Sequence, residues 1–271
     1  MAGRVSSLHV YPVKSCRGID VPAWPLEARG LRHDRRFMVV RPDGAFVTQR
    51  ELPRLACVAT ALDGPDADAV ELSAEGHGAV RAPLSSSGGG EQLEVGVWRD
   101  RVRAELVDAA IDRWLTALLD EPLRLVRFPA QARRAVDPRW APGFETAFAD
   151  GYPVLVIAQA SLDALNARVA APVPMARFRP NLVADGVDAF AEDAWRDVGV
   201  GTGAIRVVKP CARCIVVATD QRSGERAVAL EPLRTLATFR RHGHEVMFGQ
   251  NAVVTRAGWI GVGDALVPAA G

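Results

Sequence analysis

The chain of 271 residues is 49% hydrophobic and 24% charged, the composition of an ordinary globular protein with material for one large domain or two smaller ones. A formal net charge of +1 argues against a dedicated nucleic-acid surface, and four cysteines are too few for a disulfide framework. The sequence has neither a basic-then-apolar leader nor a run of about eighteen apolar residues, so we expect a cytoplasmic protein without a membrane anchor.

Short strands separated by turns dominate the predicted secondary structure of the N-terminal half. Apolar, β-branched or alternating runs predict strands at 4–13, 37–40, 46–48, near 56–62 and 69–72, and at 93–98 and 123–128. Asp108 is the expected N-cap of a helix over 109–119, whose apolar residues recur at helical spacing. Residues 129–148 show no periodicity and are predicted to form an inter-domain crossing or a long loop over a site.

The C-terminal half follows the same pattern. Strands are predicted at 154–158, toward the end of 177–183, and at 205–208, 246–254 and 261–267. Ser161 is expected to cap one helix, and Pro232 to begin another over 233–240. Many short strands with few helices favour a mainly β, α+β protein built from barrels over a doubly wound sheet.

A single Cys-x-x-Cys motif, Cys211-Ala212-Arg213-Cys214, is the strongest chemical signal. The apolar run Ile215-Val216-Val217-Ala218 follows it and predicts a buried strand that begins at the second thiol. Lys209 and Arg213 favour the thiolate, which is the form that binds metals or attacks electrophiles. The pattern therefore predicts a ligand to a metal cofactor.

Two other uses of this motif remain open. Structural zinc normally takes four ligands, and His242 and His244 are only a weak complement to one cysteine pair. A thioredoxin-like redox pair would open a helix, whereas this motif is predicted to open a strand.

Four basic residues stand at strand–turn junctions: Lys14, Arg36, Arg179 and Arg213. Together they could line an anion pocket, since arginine binds phosphate with two nitrogens and lysine adds a point charge. The alternative is four separate solvated charges. Glycine-rich nucleotide-binding loops are absent from the sequence.

Several motifs resemble those of one family, in the same order along nearly the whole chain. The segments Tyr11-Pro12-Val13-Lys14-Ser15-Cys16-Arg17-Gly18 and Asp34-Arg35-Arg36-Phe37 resemble the N-terminal β-barrel domain of MOSC proteins. The segments Arg177-Phe178-Arg179-Pro180-Asn181, Ala191-Glu192-Asp193-Ala194-Trp195, Lys209-Pro210-Cys211-Ala212-Arg213-Cys214 and Phe248-Gly249-Gln250-Asn251 resemble the MOSC domain itself. The resemblance is greatest to the branch that contains the mitochondrial amidoxime-reducing component and its bacterial relatives. It implies a MOSC N-terminal domain over 1–128 and a MOSC domain over 129–271.

The resemblance also implies a cofactor and its ligands. Proteins of this branch bind a molybdenum–molybdopterin cofactor and reduce N-hydroxylated compounds, and the matching position makes Cys214 the catalytic residue and the protein ligand to molybdenum. The remaining cofactor-binding positions are Lys14, Ser15, Arg36, Gly151, Tyr152, Arg179, Asn181, Ala212, Arg213 and Asn251. Tyr152 and Ala212 stand where the family has serine, and Asn251 where it has tyrosine. Cys211 matches a thiol that is not a ligand.

The substrate implied by the resemblance is a small N-hydroxylated molecule. Because the chain has no flavin, haem or [2Fe–2S] signature, we expect a separate electron donor: a ferredoxin, a flavodoxin, or a cytochrome b5-like protein with its reductase. Asp220 could orient a cation, relay a proton or stabilise a turn. The alternative function is a sulfur carrier or molybdenum-cofactor-handling protein with a persulfide on Cys214, and a third is a non-catalytic redox or zinc module.

Overall fold

The computed structural model describes residues 3–86, 90–227 and 229–269. The strands are, in chain order, β1 (Gly3–Val10), β2 (Ile19–Val21), β3 (Ala23–Glu27), β4 (Gly30–Leu31), β5 (Phe37–Val40), β6 (Ala59–Ala61), β7 (Ala69–Ala74), β8 (Gly78–Pro83), β9 (Gln92–Val97), β10 (Asp100–Leu106), β11 (Arg124–Arg127), β12 (Val154–Ala158), β13 (Leu182–Asp185), β14 (Asp197–Val200), β15 (Gly203–Arg213), β16 (Arg241–His242), β17 (Glu245–Arg256), β18 (Gly258–Gly261) and β19 (Ala265–Pro268). The helices are α1 (Ala109–Leu119), α2 (Gln159–Asn166) and α3 (Leu233–Phe239), with 3₁₀ turns at Pro53–Cys57, Met175–Phe178, Ala191–Ala194 and Ile215–Ala218. The prediction of a mainly β protein with a few helices is confirmed.

A closed barrel forms the larger of the two β structures. Its strands pair in the order β12-β13-β1-β19-β14-β15-β17, and β17 pairs back onto β12. The β12–β13 pair is parallel. Alternate side chains such as Leu8, Val156 and Ile205 point into one apolar core. Because β1 lies between β13 and β19, the barrel takes strands from both ends of the chain, across the domain boundary predicted at 128/129.

The smaller β structure is a half-barrel built from the N-terminal half. Strands β5, β11, β10 and β9 form one antiparallel sheet, and β6, β7 and β8 form another. Helix α1 packs its apolar face on a core that includes Ile111, Leu115 and Leu125. The Asp108 carboxylate accepts a hydrogen bond from the Ala110 N–H at 2.6 Å, as predicted for an N-cap.

The prediction of a strand directly after the Cys-x-x-Cys motif is wrong. Strand β15 reaches Arg213, where it still pairs with Val246 of β17, and Ile215–Ala218 then forms a 3₁₀ turn. Cys214 is the last extended residue, and its carbonyl accepts the Val217 N–H at 3.2 Å. Val217 and Ala218 are buried by packing rather than by sheet pairing, which explains why their composition is strand-like.

Other boundaries also differ from expectation. Helix α2 begins at Gln159, so Ser161 lies inside it, and the Ser161 hydroxyl instead bonds the buried Glu192 carboxylate at 2.8 Å. The predicted strand at 46–48 contributes a single bridge, Val40 to Phe46. The predicted strand at 177–183 starts as a 3₁₀ turn and becomes β13 only at Leu182.

The segment 129–148 has no helix or strand in the structure, as expected for a long loop. A bridge between Ala135 and Glu145 closes it on itself. Arg134 holds it in place by donating to the Ala147 carbonyl at 2.9 Å and pairing with Asp100 at 2.6 Å. The loop delivers the chain to Ala149, where a large cavity begins.

Candidate cofactor site

One cavity collects residues from both halves of the chain around Cys214. Nearly every residue that the sequence analysis placed at the site lines it: Lys14, Ser15, Gly151, Tyr152, Arg179, Asn181, Ala212, Arg213, Cys214 and Asn251. Further lining residues that the sequence analysis did not assign include Arg35, Gln49, Arg50, Asp150 and Arg177. The structure therefore brings together segments separated by more than a hundred residues.

Cys214 lies beside a guanidinium that the sequence analysis missed. The Arg50 Nη2 atom is 3.2 Å from the Cys214 Sγ, at hydrogen-bond distance for sulfur. Arg50 in turn stacks on the Trp98 ring, 4.4 Å from its centroid, and the Trp98 Nε1 donates to the Asp150 carboxylate at 3.2 Å. All four cysteines of the chain are free, and burial raises the pKa of the Cys211 thiol.

The Arg213 side chain is held in place by two backbone carbonyls. Its Nε donates to the Phe248 carbonyl at 2.7 Å and its Nη1 to the Phe178 carbonyl at 3.0 Å. Gly249 makes room for this side chain: it has φ +75°, and a Cβ there would lie 3.2 Å from Arg213 Nη2 and 2.6 Å from an Ile157 methylene. The Arg213 Nη2 atom is buried and has no hydrogen-bond partner among the described residues.

Arg179 is the second buried cation with a spare nitrogen. It adopts a left-handed conformation, φ 54°, and its guanidinium stacks on the Tyr11 ring at 4.4 Å. Its Nη1 donates to the Gln221 side chain at 3.2 Å, whereas its Nη2 has no partner within the described parts of the chain. Burial lowers the pKa of Arg179 to about 10, so the guanidinium remains charged at neutral pH.

A pair of buried glutamines ties Ser15 to Arg179. Gln49 donates to the Ser15 carbonyl at 2.6 Å, and Gln49 and Gln221 exchange amide hydrogen bonds at 2.9 and 3.0 Å. Ser15 has φ 68°, a conformation that costs a non-glycine residue energy and is found more often at functional sites. The network holds the Ser15 turn at the cavity.

Lys14 and Asp150 form an ion pair at the same cavity. The Lys14 side chain is only 6% exposed, and its ammonium donates to the Asp150 carboxylate. Burial lowers the pKa of Lys14, and Asp150 partly opposes that shift. Burial raises the pKa of Asp150, but Lys14 and Arg50 outweigh it, so the pKa of Asp150 lies well below its usual value and the group is a carboxylate.

The structure does not bring the predicted Arg36 to the cavity; its neighbour Arg35 lies there instead. Arg36 donates to the Phe128 carbonyl at 3.2 Å and lines a separate depression with Glu27 and His33. Arg35 has φ 47°, in the left-handed region, and its side chain lines the cavity, whereas Arg36 lines the separate depression. The structure therefore places Arg35 at the cavity in place of the predicted Arg36.

Arg35 is held by a buried carboxylate and an amide. Its Nη1 donates to Asp34 at 2.6 Å and to the Asn181 side chain at 3.2 Å. The Asn181 amide nitrogen also bonds Asp34, at 3.0 Å. Asn181 therefore lines the cavity and at the same time orients Arg35.

Four further predicted residues contribute mainly shape. Gly151 lines the cavity, and a Cβ built there would meet none of the described atoms within 4 Å, so its backbone faces open space. Asn251 donates to the Pro210 carbonyl at 3.4 Å. Ala212 is exposed, and Tyr152, whose pKa is raised to about 12 by burial, is partly buried.

Asp220 stabilises a turn and orients a cation. Its Oδ1 accepts the backbone N–H groups of Arg222 and Ser223 at 2.8 and 3.1 Å. Its Oδ2 accepts a hydrogen bond from the cavity residue Arg177 at 3.3 Å. These backbone hydrogen bonds lower the pKa of Asp220.

The donor set fits an anionic cofactor with one thiolate ligand. Three of the cavity-lining arginines, Arg177, Arg179 and Arg213, each have a buried guanidinium nitrogen without a partner among the described residues, and an uncompensated buried cation is costly unless an anion completes the site. Of the two thiols that line the cavity, Cys211 and Cys214, the second is predicted to be the ligand, and a thiolate is a soft ligand of the kind that molybdenum accepts. Among the described residues, no group of three or more histidine, cysteine, aspartate or glutamate side chains could hold a metal ion by itself.

Comparison with known proteins defines the class to which this fold and site belong. The MOSC N-terminal beta barrel domain matches residues 2–122, and the MOSC domain matches residues 144–267. The chain therefore belongs to the family of MOSC proteins that carry both domains, as the motifs predicted.

Curated relatives include two kinds of protein. The chain is 32% identical to human mitochondrial amidoxime-reducing component 1, over 97% of this chain and 82% of that protein. It is 33% identical to mitochondrial amidoxime-reducing component 1 of Xenopus laevis, over 97% of this chain and 81% of that protein. It is 29% identical to the molybdenum cofactor sulfurase of Solanum lycopersicum, over 97% of this chain but only 35% of that longer protein. Within the described ranges, no helix combines the length and hydrophobicity needed to cross a membrane.

Proposed function

We propose that this protein is a molybdenum-cofactor-dependent oxidoreductase that reduces N-hydroxylated compounds such as hydroxylamines, amidoximes and N-hydroxylated bases. The observation that supports it best is the cavity in which the Cys214 thiol lies with buried, partnerless guanidinium nitrogens of lining arginines, including Arg179 and Arg213. The similarity to amidoxime-reducing components over most of both chains supports the same activity.

In this proposal, Cys214 ligates molybdenum and the cations bind the anionic part of the molybdopterin. Arg179 and Arg213 each offer a free nitrogen, and Lys14 and Arg35 add positive charge to the same cavity. Ser15, Gly151, Tyr152, Asn181, Ala212 and Asn251 complete the binding surface. When bound, the cofactor supplies two-electron oxygen-atom-transfer chemistry.

The chain's own residues bind the cofactor, orient the Cys214 sulfur and shield the site from water. Each turnover breaks one N–O bond, consumes two electrons and two protons, and releases the reduced nitrogen compound and water. Arg50 holds the Cys214 sulfur from one side, and Trp98 fixes Arg50 by stacking on it. A separate ferredoxin, flavodoxin, or cytochrome b5-like protein with its reductase would supply the electrons in the cytoplasm.

The experiment that tests this proposal uses protein produced in a host that makes the molybdenum cofactor. We expect about one molybdenum per chain by mass spectrometry, and reduction of benzamidoxime with chemically reduced methyl viologen as the electron source. Cys214→Ala should abolish activity, whereas Cys57→Ala, which removes a partly buried thiol away from the cavity, should retain it. Loaded protein that is inactive with several N-hydroxylated substrates would contradict the proposal.

A sulfur-carrier function is the second candidate, because the chain is also similar to a molybdenum cofactor sulfurase. In that case Cys214 would carry a persulfide, and Arg50 at 3.2 Å would stabilise its negative charge. Cyanide treatment would release thiocyanate from wild type but not from Cys214→Ala. Release of stoichiometric thiocyanate from molybdenum-free, reductase-inactive protein would favour this candidate.

A further inference from the structure

A second depression, a groove open to solvent, meets the cofactor cavity at Cys214. The two share the wall formed by Arg50, Ala212, Arg213 and Cys214. A molecule in the groove would therefore lie against Cys214, on a wall to which the buried cations Lys14 and Arg179 do not contribute, because they line only the cavity.

The groove has an apolar floor. Leu233 and Ala237 lie one helical turn apart on α3 and face the groove together with Val246 of β17. Leu230, just before α3, is 40% exposed, a high fraction for a leucine that lines a concavity. Covering this floor would remove apolar surface from water, so it favours a ligand with an apolar body.

The rim of the groove carries more positive than negative charge. Arg234 and Arg241 are exposed, His244 lies beside them, and Glu245 is the one carboxylate among the described lining residues. Neither arginine forms an ion pair with any described residue, a property shared with other exposed arginines such as Arg103 and not with Arg206, which pairs with Asp197 at 2.8 Å. The rim can therefore attract an anion without first breaking an internal pair.

We propose, building on the reductase function proposed above, that this groove is the substrate-binding site and that it selects N-hydroxylated compounds with an apolar body and an anionic substituent. The apolar floor takes the body, the shared wall brings the N-hydroxyl group to the edge of the cofactor cavity beside Cys214, and Arg234 and Arg241 bind the anion. The anion is a carboxylate or a phosphate-type group, because both match a guanidinium.

The test compares three substrates on one scaffold: benzamidoxime, 4-carboxybenzamidoxime and 4-(phosphonomethyl)benzamidoxime. With the cofactor-loaded enzyme, we expect the two anionic substrates to have the lower KM, and the order between them to tell which anion the rim prefers. Arg234→Gln and Arg241→Gln should each raise the KM of the anionic substrates about two- to fivefold, the range expected for one exposed ion pair. The KM of benzamidoxime, which has no anion for these arginines to bind, should rise less than that of either anionic substrate.

Arg103→Gln serves as a matched control, since Arg103 is exposed on β10 and lines neither cavity nor groove. A second readout does not depend on turnover: calorimetric binding of the same three compounds to oxidised, loaded protein without an electron donor. Equal affinity for neutral and anionic compounds, or equal losses in Arg103→Gln and Arg234→Gln, would overturn the groove assignment even if benzamidoxime is reduced. Absence of benzamidoxime reduction would contradict the reductase proposal, while calorimetry would still decide the preference of the groove.

Discussion

The inner cavity and the outer groove share a wall at Cys214 but are built in opposite ways. In the cavity, charged groups such as Lys14 and Arg179 are buried and held by several partners. In the groove, Arg234 and Arg241 are exposed and form no ion pair with a described residue, above an apolar floor. The cavity is therefore preorganised for a particular ligand, whereas the groove can accept a range of ligands.

This difference has an energetic cause. Burying a cation is unfavourable, so the cavity needs carboxylates, glutamines and carbonyls that hold each charge in one orientation. The nitrogens left over on Arg179 and Arg213 then gain most from a bound anion, because they are already desolvated and positioned. Exposed arginines lose water and side-chain freedom on binding and so contribute less.

The largest effect is expected from Arg179→Met, which removes the spare nitrogen of the cavity. Losing a hydrogen bond from a charged donor costs about 1.5–3 kcal/mol, so the apparent affinity for molybdopterin should fall about ten- to a hundredfold. The measurement is molybdenum per chain, with fluorescence detection of the oxidised pterin after extraction. Arg36→Met is the matched control, because Arg36 lies outside the cavity and should leave cofactor content unchanged. Equal cofactor loss in both variants would restore Arg36 to the site and contradict the assignment of Arg35.

The choice between Arg35 and Arg36 also shows what could not be predicted about the site from the sequence. The motif Asp34-Arg35-Arg36-Phe37 indicated an arginine at the site, but only the folded chain places Arg35, and not Arg36, in the lining of the cavity. Arg50 carried no signal at all, since it belongs to an ordinary loop and meets Cys214 only in the fold. Asp150 adjoins the predicted Gly151 and could have been suspected as the counter-ion of a buried lysine.

The fold was predictable where local pattern decides it. Strand β12 and helix α1 were predicted at their observed bounds, because apolar run length, spacing and a capping aspartate are local signals. Residues Ile215–Ala218 have the β-branched, apolar composition of a strand, but no described strand pairs with them. This buried segment therefore forms a 3₁₀ turn. The insertion of β1 between β13 and β19 is a long-range pairing that no local pattern encodes.

Asp150→Asn would test whether buried charges in the cavity depend on their partners. The substitution leaves the Lys14 ammonium without its counter-ion, and we expect the free energy of unfolding to fall by about 1–3 kcal/mol in urea titrations. The double variant Lys14→Met/Asp150→Asn should recover part of this loss. Arg234→Gln, in the groove, should stay within about 0.5 kcal/mol of wild type. Similar losses for Asp150→Asn and Arg234→Gln would remove the contrast between the two regions.

An effect confined to alkaline pH is expected from Cys16, the buried residue next to Ser15. Burial raises the pKa of the Cys16 thiol to about 12, from the 9.0 of an exposed thiol, against a weaker lowering by Arg179. Above pH 9 the unfolded chain loses this proton while the folded chain keeps it. Stability from this group is therefore fully present below pH 9 and is lost as pH rises toward 12, by at most about 1.4 kcal/mol per pH unit. Cys16→Ala should show a correspondingly flatter dependence between these limits in urea unfolding, and parallel curves for the two proteins would contradict the assignment.

The smallest effect is expected at Trp98, which supports Arg50, one of the four residues that line both the cavity and the groove. Trp98 is 47% exposed, has φ 58° and carries the Arg50 guanidinium 4.4 Å from its ring centroid. An exposed cation–π contact contributes about 0.5–1 kcal/mol, so Trp98→Leu should lower the free energy of unfolding by that amount. The same variant should reduce benzamidoxime turnover about two- to fivefold, because Arg50 would no longer be fixed beside Cys214. Trp98→Phe keeps a ring and loses the indole hydrogen bond to Asp150, so it should lie between wild type and Trp98→Leu in both measurements. If Trp98→Leu loses stability but keeps full turnover, Arg50 belongs to the rigid wall of the cavity alone and has no part in positioning the sulfur at the groove.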